Sequence, residues 1–429
     1  MTIKDIYSIY TKNGYRVSTD SRKIEKGDIF FGLKGENFDG NAFASNALEK
    51  GAVLAIVDNP DYHIPGKTIL TENSLKTLQD LATYHRKQLD IPFIGLTGTA
   101  GKTTTKELIR QVLSKKYKTY ATQGNLNNHI GVPLTILSIT PDYQVAVVEM
   151  GASHPGEIAQ LCEIARPTHG LITNIGTAHI EGFGSHENLI QTKTALYRYL
   201  KKHNGTIFLN LDDSLLPTLT NHKQIHTYGT SNSAATQGKI TGQNPFVSLE
   251  FTGKDNKTHT VNTKLFGTYN LYNILAAIAI GQYFNVSDQE IAAAIEEYEP
   301  RNNRSQIKKT RDNTLILDLY NANPTSMSKA LESFAGLQAD NKVLILGDML
   351  ELGEIEDEEH KKILSLTEKL GFSEIYLVGK IFGRVNSKYP HFATSEEMAK
   401  WLQSNPLKNK YILLKASRGI HLEKLIEHL

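Results

Sequence analysis

The chain has 429 residues, and 47 Lys and Arg against 45 Asp and Glu leave a formal charge of +2, with no basic block to mark a nucleic-acid partner. Hydrophobic residues make up 40% and charged residues 21%, an ordinary globular balance over enough length for two to four domains. The single cysteine, Cys162, excludes an internal disulfide or a cysteine metal cage; no run of about 18 apolar residues spans a bilayer, and the N-terminus lacks the apolar core of a signal peptide, so a cytoplasmic protein is expected.

Residues 1–90 read as a small α/β unit. Apolar runs at 28–33 and 52–57 predict buried strands, and 41–50 predicts a helix closed by Gly51. The loops 19–22 and 34–40 are polar and turn-rich. In them Ser21, Arg22 and Lys34 are either turn and capping residues or ligand contacts. A helix at 75–90 leads to Pro92.

Residues 91–302 form the second unit. Strands are predicted at 93–96, 145–149, 170–173 and 206–209, with helices at 102–117, 156–165 and 187–201 between them. Short continuous apolar runs suit strands covered on both faces, as in a parallel sheet. After residue 225, alternation at 246–251 and a further strand at 258–266 predict a small antiparallel patch. Helices at 270–284 and 288–298 close the unit, and 300–304 reads as a linker. Residues 303–429 form the third unit, an open α/β sheet of dinucleotide-fold type. Its predicted strands are 315–318, 342–346, 374–378 and 411–414, and its helices 324–337, 357–370, 395–404 and 419–428. It lacks a Gly-x-Gly-x-x-Gly turn, so no nicotinamide site is read there. The acidic run 351–359 is a solvated loop and helix start.

The chemistry centres on Thr97-Gly-Thr-Ala-Gly-Lys-Thr-Thr-Thr105, a glycine loop between a buried strand and a helix. Glycines let backbone N–H groups turn toward an anion, and the helix start adds roughly half a positive charge. Lys102 would add a full charge on outer phosphates, and Thr103 a hydroxyl for Mg²⁺. Leu96 stands where the common loop has its first glycine, so this loop is shortened and Gly98 makes the turn. Glu149 ends a strand, where a carboxylate either holds Mg²⁺ or caps the next helix. His179 is either a second metal ligand or a polar surface residue. Asn270 and Asn273 open a helix, where capping explains one of them. Arg304 either clamps a phosphate across the junction or pairs locally. Asp318 ends the first strand of the third unit and precedes Asn321, Asn323 and Pro324, a rigid entry into a helix. Lys193 is a lone helical lysine with no special role by composition, and Cys162 reads as a packed residue.

Several of these loops together resemble the Mur ligase family, the ATP-dependent amide-forming enzymes of peptidoglycan precursor synthesis. The blocks are the loop 97–105, Asn125-Leu-Asn-Asn-His-Ile-Gly-Val-Pro133, Glu149-Met-Gly-Ala-Ser153 and Asn174-Ile-Gly-Thr-Ala-His179. The resemblance covers nearly the whole chain. Three further blocks, at 320–324, 346–354 and 415–419, are similar to the branch that joins D-Ala-D-Ala to UDP-MurNAc-tripeptide. Another ligase of the family, such as a tripeptide synthase or a folylpolyglutamate synthase, is the nearest alternative, and a P-loop NTPase of another class the next. The resemblance implies that Gly98, Thr99, Ala100, Gly101, Lys102, Thr103 and Thr104 hold ATP, with Asn270, Asn273, Arg304 and Asp318 on the nucleotide. It implies two Mg²⁺ ions, one on Thr103 and Glu149, the other on His179 and a carbamylated Lys193. Lys102, Glu149, His179 and Lys193 would be the catalytic set. Ser21, Arg22 and Lys34 would meet the UDP-linked substrate, and Asn321, Asn323 and Asp348 the D-alanines. A monomer is expected, with the third unit closing over ATP as a rigid body. Ala100, Tyr269 and Ala195 depart from the family pattern, which commonly has Asn, His and Glu there.

Overall fold

The computed structural model describes every residue except Thr177, Ala178, His179 and Asn302, and leaves the side chain of Ile180 undescribed. The fold is built on three α/β sheets that follow one another along the chain. The first has four parallel strands, in the order Val17–Ser18, Ile29–Phe31, Leu54–Val57, Thr68–Leu70. Two of these match the predicted apolar runs, and the helix Ser74–Arg86 matches the one read at 75–90. The helix Ile3–Lys12 was not foreseen. Thr2 and Asp5 form a capping box, and Ile6 and Tyr10, one turn apart, are its buried residues. The Tyr10 hydroxyl donates to Leu137 O at 2.6 Å and so ties this helix to the central unit.

The central sheet has nine strands. Phe93–Thr97 lies inside it between His169–Ile172 and Val145–Glu149. All five residues of Phe93–Thr97 and of Val145–Glu149 are buried, which is why both read as unbroken apolar runs rather than as alternation. Helix Lys102–Leu113 lies on one face and buries Leu108, Ile109, Val112 and Leu113. Helix Leu271–Tyr283 packs into the same core and is apolar nearly all round. The antiparallel patch has three strands, Thr236–Gln243, Phe246–Thr252 and Thr258–Phe266. Thr236–Gln243 escaped the reading because Ile240 is its only aliphatic residue beyond threonine methyls.

The third sheet has six strands, all parallel except Gln306–Lys309, which pairs antiparallel with Thr314–Asp318. Helices Pro324–Ala335, Glu356–Lys369 and Ser395–Ser404 fall where expected. The predicted helix at 419–428 is corrected. The segment is two tight 3₁₀ stretches, Arg418–Ile420 and Leu422–His428, because His421 sits between them in the left-handed region at φ 57° and interrupts any α ladder. The acidic run ends as the first turn of Glu356–Lys369, where Arg384 pairs with Glu356 and Asp357. No helix among the described residues is long and apolar enough to cross a membrane.

Candidate active site

Ligands of open α/β sheets sit at the carboxyl ends of strands, and three adjacent carboxyl ends meet at the glycine loop. Thr97 closes one strand, Glu149 the next on one side, and Thr173 and Asn174 follow Ile172 on the other. Gly98 has φ 150°, and a Cβ there would lie 1.9 Å from Thr173 Oγ1. Only glycine fits. Gly101 turns at φ 82° into the helix N-terminus, which no side chain caps.

The neighbouring strand holds the loop in shape. Thr99 N–H donates to Asn174 O at 3.0 Å, Ala100 N–H donates to Asn174 Oδ1 at 3.0 Å, and Asn174 Nδ2 donates back to Ala100 O at 2.8 Å. Thr173 Oγ1 adds a bond to the same carbonyl at 2.7 Å. Ala100 is therefore fixed through its backbone. Ala195 is buried in the apolar core and does not line the cavity. Tyr269 does reach the cavity, and its hydroxyl shares a 2.8 Å hydrogen bond with Ser305 Oγ.

Around the loop the polar groups converge on the Glu149 carboxylate and the Gly98 carbonyl. Thr103 Oγ1 donates to Glu149 at 3.0 and 3.2 Å, and Asn127 Nδ2 donates to Glu149 Oε1 at 2.9 Å. This all-oxygen pair of Thr103 and Glu149 suits a hard divalent cation. Lys102 Nζ donates to Gly98 O at 2.8 Å, and Lys193 Nζ reaches the same carbonyl at 3.1 Å. Burial pushes the Lys193 amine down to about 7, and the nearby Lys102 charge pushes the same way. Burial also lowers Lys102. His179 lies outside the described residues.

A cavity of about 370 Å³ opens over the loop. Its floor carries Thr99 to Thr104, Glu149, Glu157 and Asn174, and its far wall comes from the third unit, with Arg304, Asp318, Tyr320, Asn321, Asn323 and Lys415. Asn303 and Ser305, both left-handed at φ 55° and 48°, flank Arg304, whose guanidinium carbon stacks 3.3 Å from the Tyr320 ring centroid. Lys415 Nζ donates to Asp318 Oδ2 at 2.6 Å. Asn273 joins the loop helix by accepting from Thr105 Oγ1 at 3.0 Å, and its own Nδ2 donates to Asn270 Oδ1 at 2.9 Å. Asn323 caps the helix Pro324–Ala335.

The other expected residues lie elsewhere. Asp348, expected at the dipeptide, does not line the cavity. It is buried, and its two carboxylate oxygens each accept at 2.9 Å, from the N–H groups of Ile381 and Phe382 at the start of a short helix. A charge whose acceptor sites are used this way stays buried because it is bonded. Ser21, Arg22 and Lys34 lie on the first unit, beyond the carboxyl ends of its strands and apart from this cavity. Arg22 pairs with Asp20 at 2.8 Å, Lys34 with Asp58 at 3.3 Å, and Ser21 O accepts from Lys50. Asn127, Asn174, Tyr320 and Lys415 were not singled out from the sequence. All four stand inside matched motif blocks, which is the signal that would have found them.

Three family models match the chain in succession: the Mur ligase family catalytic domain over residues 15–88, the Mur ligase middle domain over 96–281, and the Mur ligase glutamate ligase domain over 303–423. The UDP-N-acetylmuramoyl-tripeptide–D-alanyl-D-alanine ligase of Bacillus subtilis is 34% identical over 96% of this chain and 92% of its own length. Among solved structures, MurF from Acinetobacter baumannii superposes with a TM-score of 0.87 at 31% identity, covering 96% of this chain and 92% of that one. MurF ligase from Thermotoga maritima in complex with ADP gives 0.84 at 28% identity, covering 96% of both chains. With the loop, its partner strands and the opposing wall all in place along the full length of such relatives, the chain belongs to the Mur ligase family, ATP-dependent enzymes that form amide bonds.

Proposed function

We propose that this chain joins D-Ala-D-Ala to UDP-MurNAc-tripeptide at the expense of ATP. One observation carries the reading: a single cavity has a phosphate loop as its floor and the 304–323 segment with Lys415 as its opposite wall, in a chain similar over nearly its whole length to ligases of that name. The first unit receives the UDP end through Ser21, Arg22 and Lys34, and the tripeptide carboxylate extends toward the loop. That carboxylate attacks the γ-phosphorus of ATP, ADP departs, and an acyl phosphate remains. The free amine of D-Ala-D-Ala then attacks the acyl carbon, phosphate leaves with the bonding pair, and the amine gives up its proton.

Lys102 and the loop amides offset the charge between two anions that would otherwise repel. Asn270, Asn273, Arg304 and Asp318 position the nucleotide, and Asn321 and Asn323 face the incoming dipeptide. Thr103 and Glu149 would hold one Mg²⁺, and His179 with a Lys193 carbamate a second; bound there, the ions supply charge compensation for the transferred phosphoryl group. Lys193 suits carbamylation because addition to CO₂ needs a neutral amine, and its buried amine is lowered to about 7. On this reading the protein is a cytoplasmic monomer; one chain supplies both the floor and the wall of the cavity.

The test is ADP release with UDP-MurNAc-tripeptide and each of D-Ala-D-Ala, L-Ala-L-Ala or no amine. Release that depends on D-Ala-D-Ala is expected. Equal release in all three arms would overturn the reading, and turnover with a different amine would move the chain to another branch of the family.

A further inference from the structure

We propose that Lys106 is a positioning residue that holds the Glu149 carboxylate from behind and keeps it from binding a free divalent cation before nucleotide arrives. This rests on the reading of Glu149 as a metal ligand. Lys106 lies three residues after Thr103, on the same side of the loop helix. Its side chain is 1% exposed. The Nζ donates to Thr122 O at 2.6 Å and stands 3.1 Å from Glu107 Oε1 and 3.8 Å from Glu149 Oε2. Thr122 is tied to the same place, since its Oγ1 accepts from Glu149 N–H at 3.0 Å.

The two faces of the carboxylate are thus unlike. Thr103, Asn127 and Glu149 line the cavity, whereas Lys106 does not. The front is open to an ion, and a fixed buried cation sits behind. A positive charge 3.8 Å behind one carboxylate oxygen, shared with Glu107 at 3.1 Å, offsets part of the attraction that oxygen offers a divalent ion. Phosphates bring compensating negative charge, so the ion binds well only together with the nucleotide. A purely structural lysine would leave metal affinity unchanged on removal, or lower it by loosening Glu149. The present reading gives the opposite sign.

The experiment is Mn²⁺ titration of the nucleotide-free protein, followed by electron paramagnetic resonance, in wild type, Lys106→Met, Lys106→Gln and Lys106→Arg. Gln keeps a donor for the Thr122 carbonyl, so it guards against a fold defect in the Met variant, and thermal melts identify folded samples. The Met and Gln variants are expected to bind Mn²⁺ at least tenfold more tightly than wild type, and Arg to match wild type. Equal or weaker Mn²⁺ binding in the folded neutral variants would overturn the role of Lys106. Glu149→Gln with Mn²⁺ and ADP separates this from the underlying assignment. Wild-type Mn²⁺ affinity in that variant sinks Glu149 as a ligand. Lost affinity there, without tightening in the Lys106 variants, sinks only the role of Lys106.

Discussion

At the scale of single residues, the Gly98 carbonyl explains the most. Two lysines donate to it, Lys102 at 2.8 Å from the cavity side and the buried Lys193 at 3.1 Å. Two full charges on one oxygen are unfavourable, and burial together with the Lys102 charge lowers the Lys193 amine to about 7. Its neutral fraction falls as pH drops through about 7, so a carbamate proposed there would be lost on acidification and regained as pH rises. Ligation in CO₂-depleted buffer should therefore decline below that pH and recover on adding bicarbonate, and intact-mass measurement should show the adduct on wild type. Recovery that is equal in Lys193→Ala would refute the assignment. Lys193→Ala itself should lose amide formation by about 10²–10³-fold while ATP binding survives, as expected for removal of one group acting on transition-state charge. Gly98→Ala tests the loop from the other side. The added methyl meets Thr173 Oγ1 in a backbone region costly to non-glycine residues, so about 1–3 kcal/mol of strain is expected, read as a lowered denaturation midpoint together with loss of turnover.

At the scale of elements, the amino ends of the central strands hold a basic cluster that looks like an anion site. A cavity of about 450 Å³ is lined by Arg86, Lys87, Arg166 and His203. Three helices, Ser74–Arg86, Glu157–Ala165 and His186–Lys202, end there, and each terminus presents unsatisfied carbonyls and a partial negative charge. The cations answer those carbonyls. Arg86 shows it directly: Nε donates to Ala165 O at 2.9 Å, Nη1 to Leu89 O at 2.9 Å and Nη2 to Arg166 O at 3.0 Å, with the guanidinium stacked 3.6 Å from the Phe93 ring centroid. Burial lowers Arg86 to about 10, so it remains charged at neutral pH. Arg86→Leu should cost about 3–5 kcal/mol in urea unfolding, because buried carbonyls lose their donor. It should also loosen the first unit from the second, visible as faster proteolysis near residue 90. An unchanged midpoint would show the cluster to be idle.

At the scale of the whole molecule, the proposed reaction needs water kept from an acyl phosphate, and the third unit is the part expected to close over it. It meets the central unit through a few polar contacts and one apolar anchor, Phe266, which is buried in the third unit's core. Gln243 Nε2 donates to Ser333 O at 3.1 Å, Thr268 and Ser333 hydroxyls stand 3.4 Å apart, and Phe266 packs on Phe334 with ring centroids 6.4 Å apart. Arg304 and Asp318 reach the cavity from the third unit. Rigid-body closure on ligand binding is expected. Small-angle scattering should show a smaller radius of gyration with UDP-MurNAc-tripeptide and a non-hydrolysable ATP analogue than without them, and an identical profile at saturation would count against closure.

The phosphate loop and the strand and helix that flank it were legible because the information is local. Within residues 93–113 a buried strand, two glycines in special conformations and an amphipathic helix follow one another, and each is set by its own backbone and its own neighbours. The α/β class followed from apolar runs of strand length between helical periods. Elements whose stability comes from contact rather than pattern were missed: Thr119–Ala121 and Thr236–Gln243 have too little apolar character to announce a strand until a neighbouring strand pairs with them. The site divides in the same way. Lys102 and Thr103 could be read from the loop, but Asn174 gripping Ala100, Lys193 meeting Gly98 and Lys106 standing behind Glu149 depend on which strand ends are neighbours. Asp348 shows the converse: it sits in a motif block, yet its hydrogen bonds to Ile381 and Phe382 take it out of the cavity. Sequence alone determined the residue types and the local turns. Only the sheet order, fixed by burying both faces of parallel strands, decided which of those residues face one another.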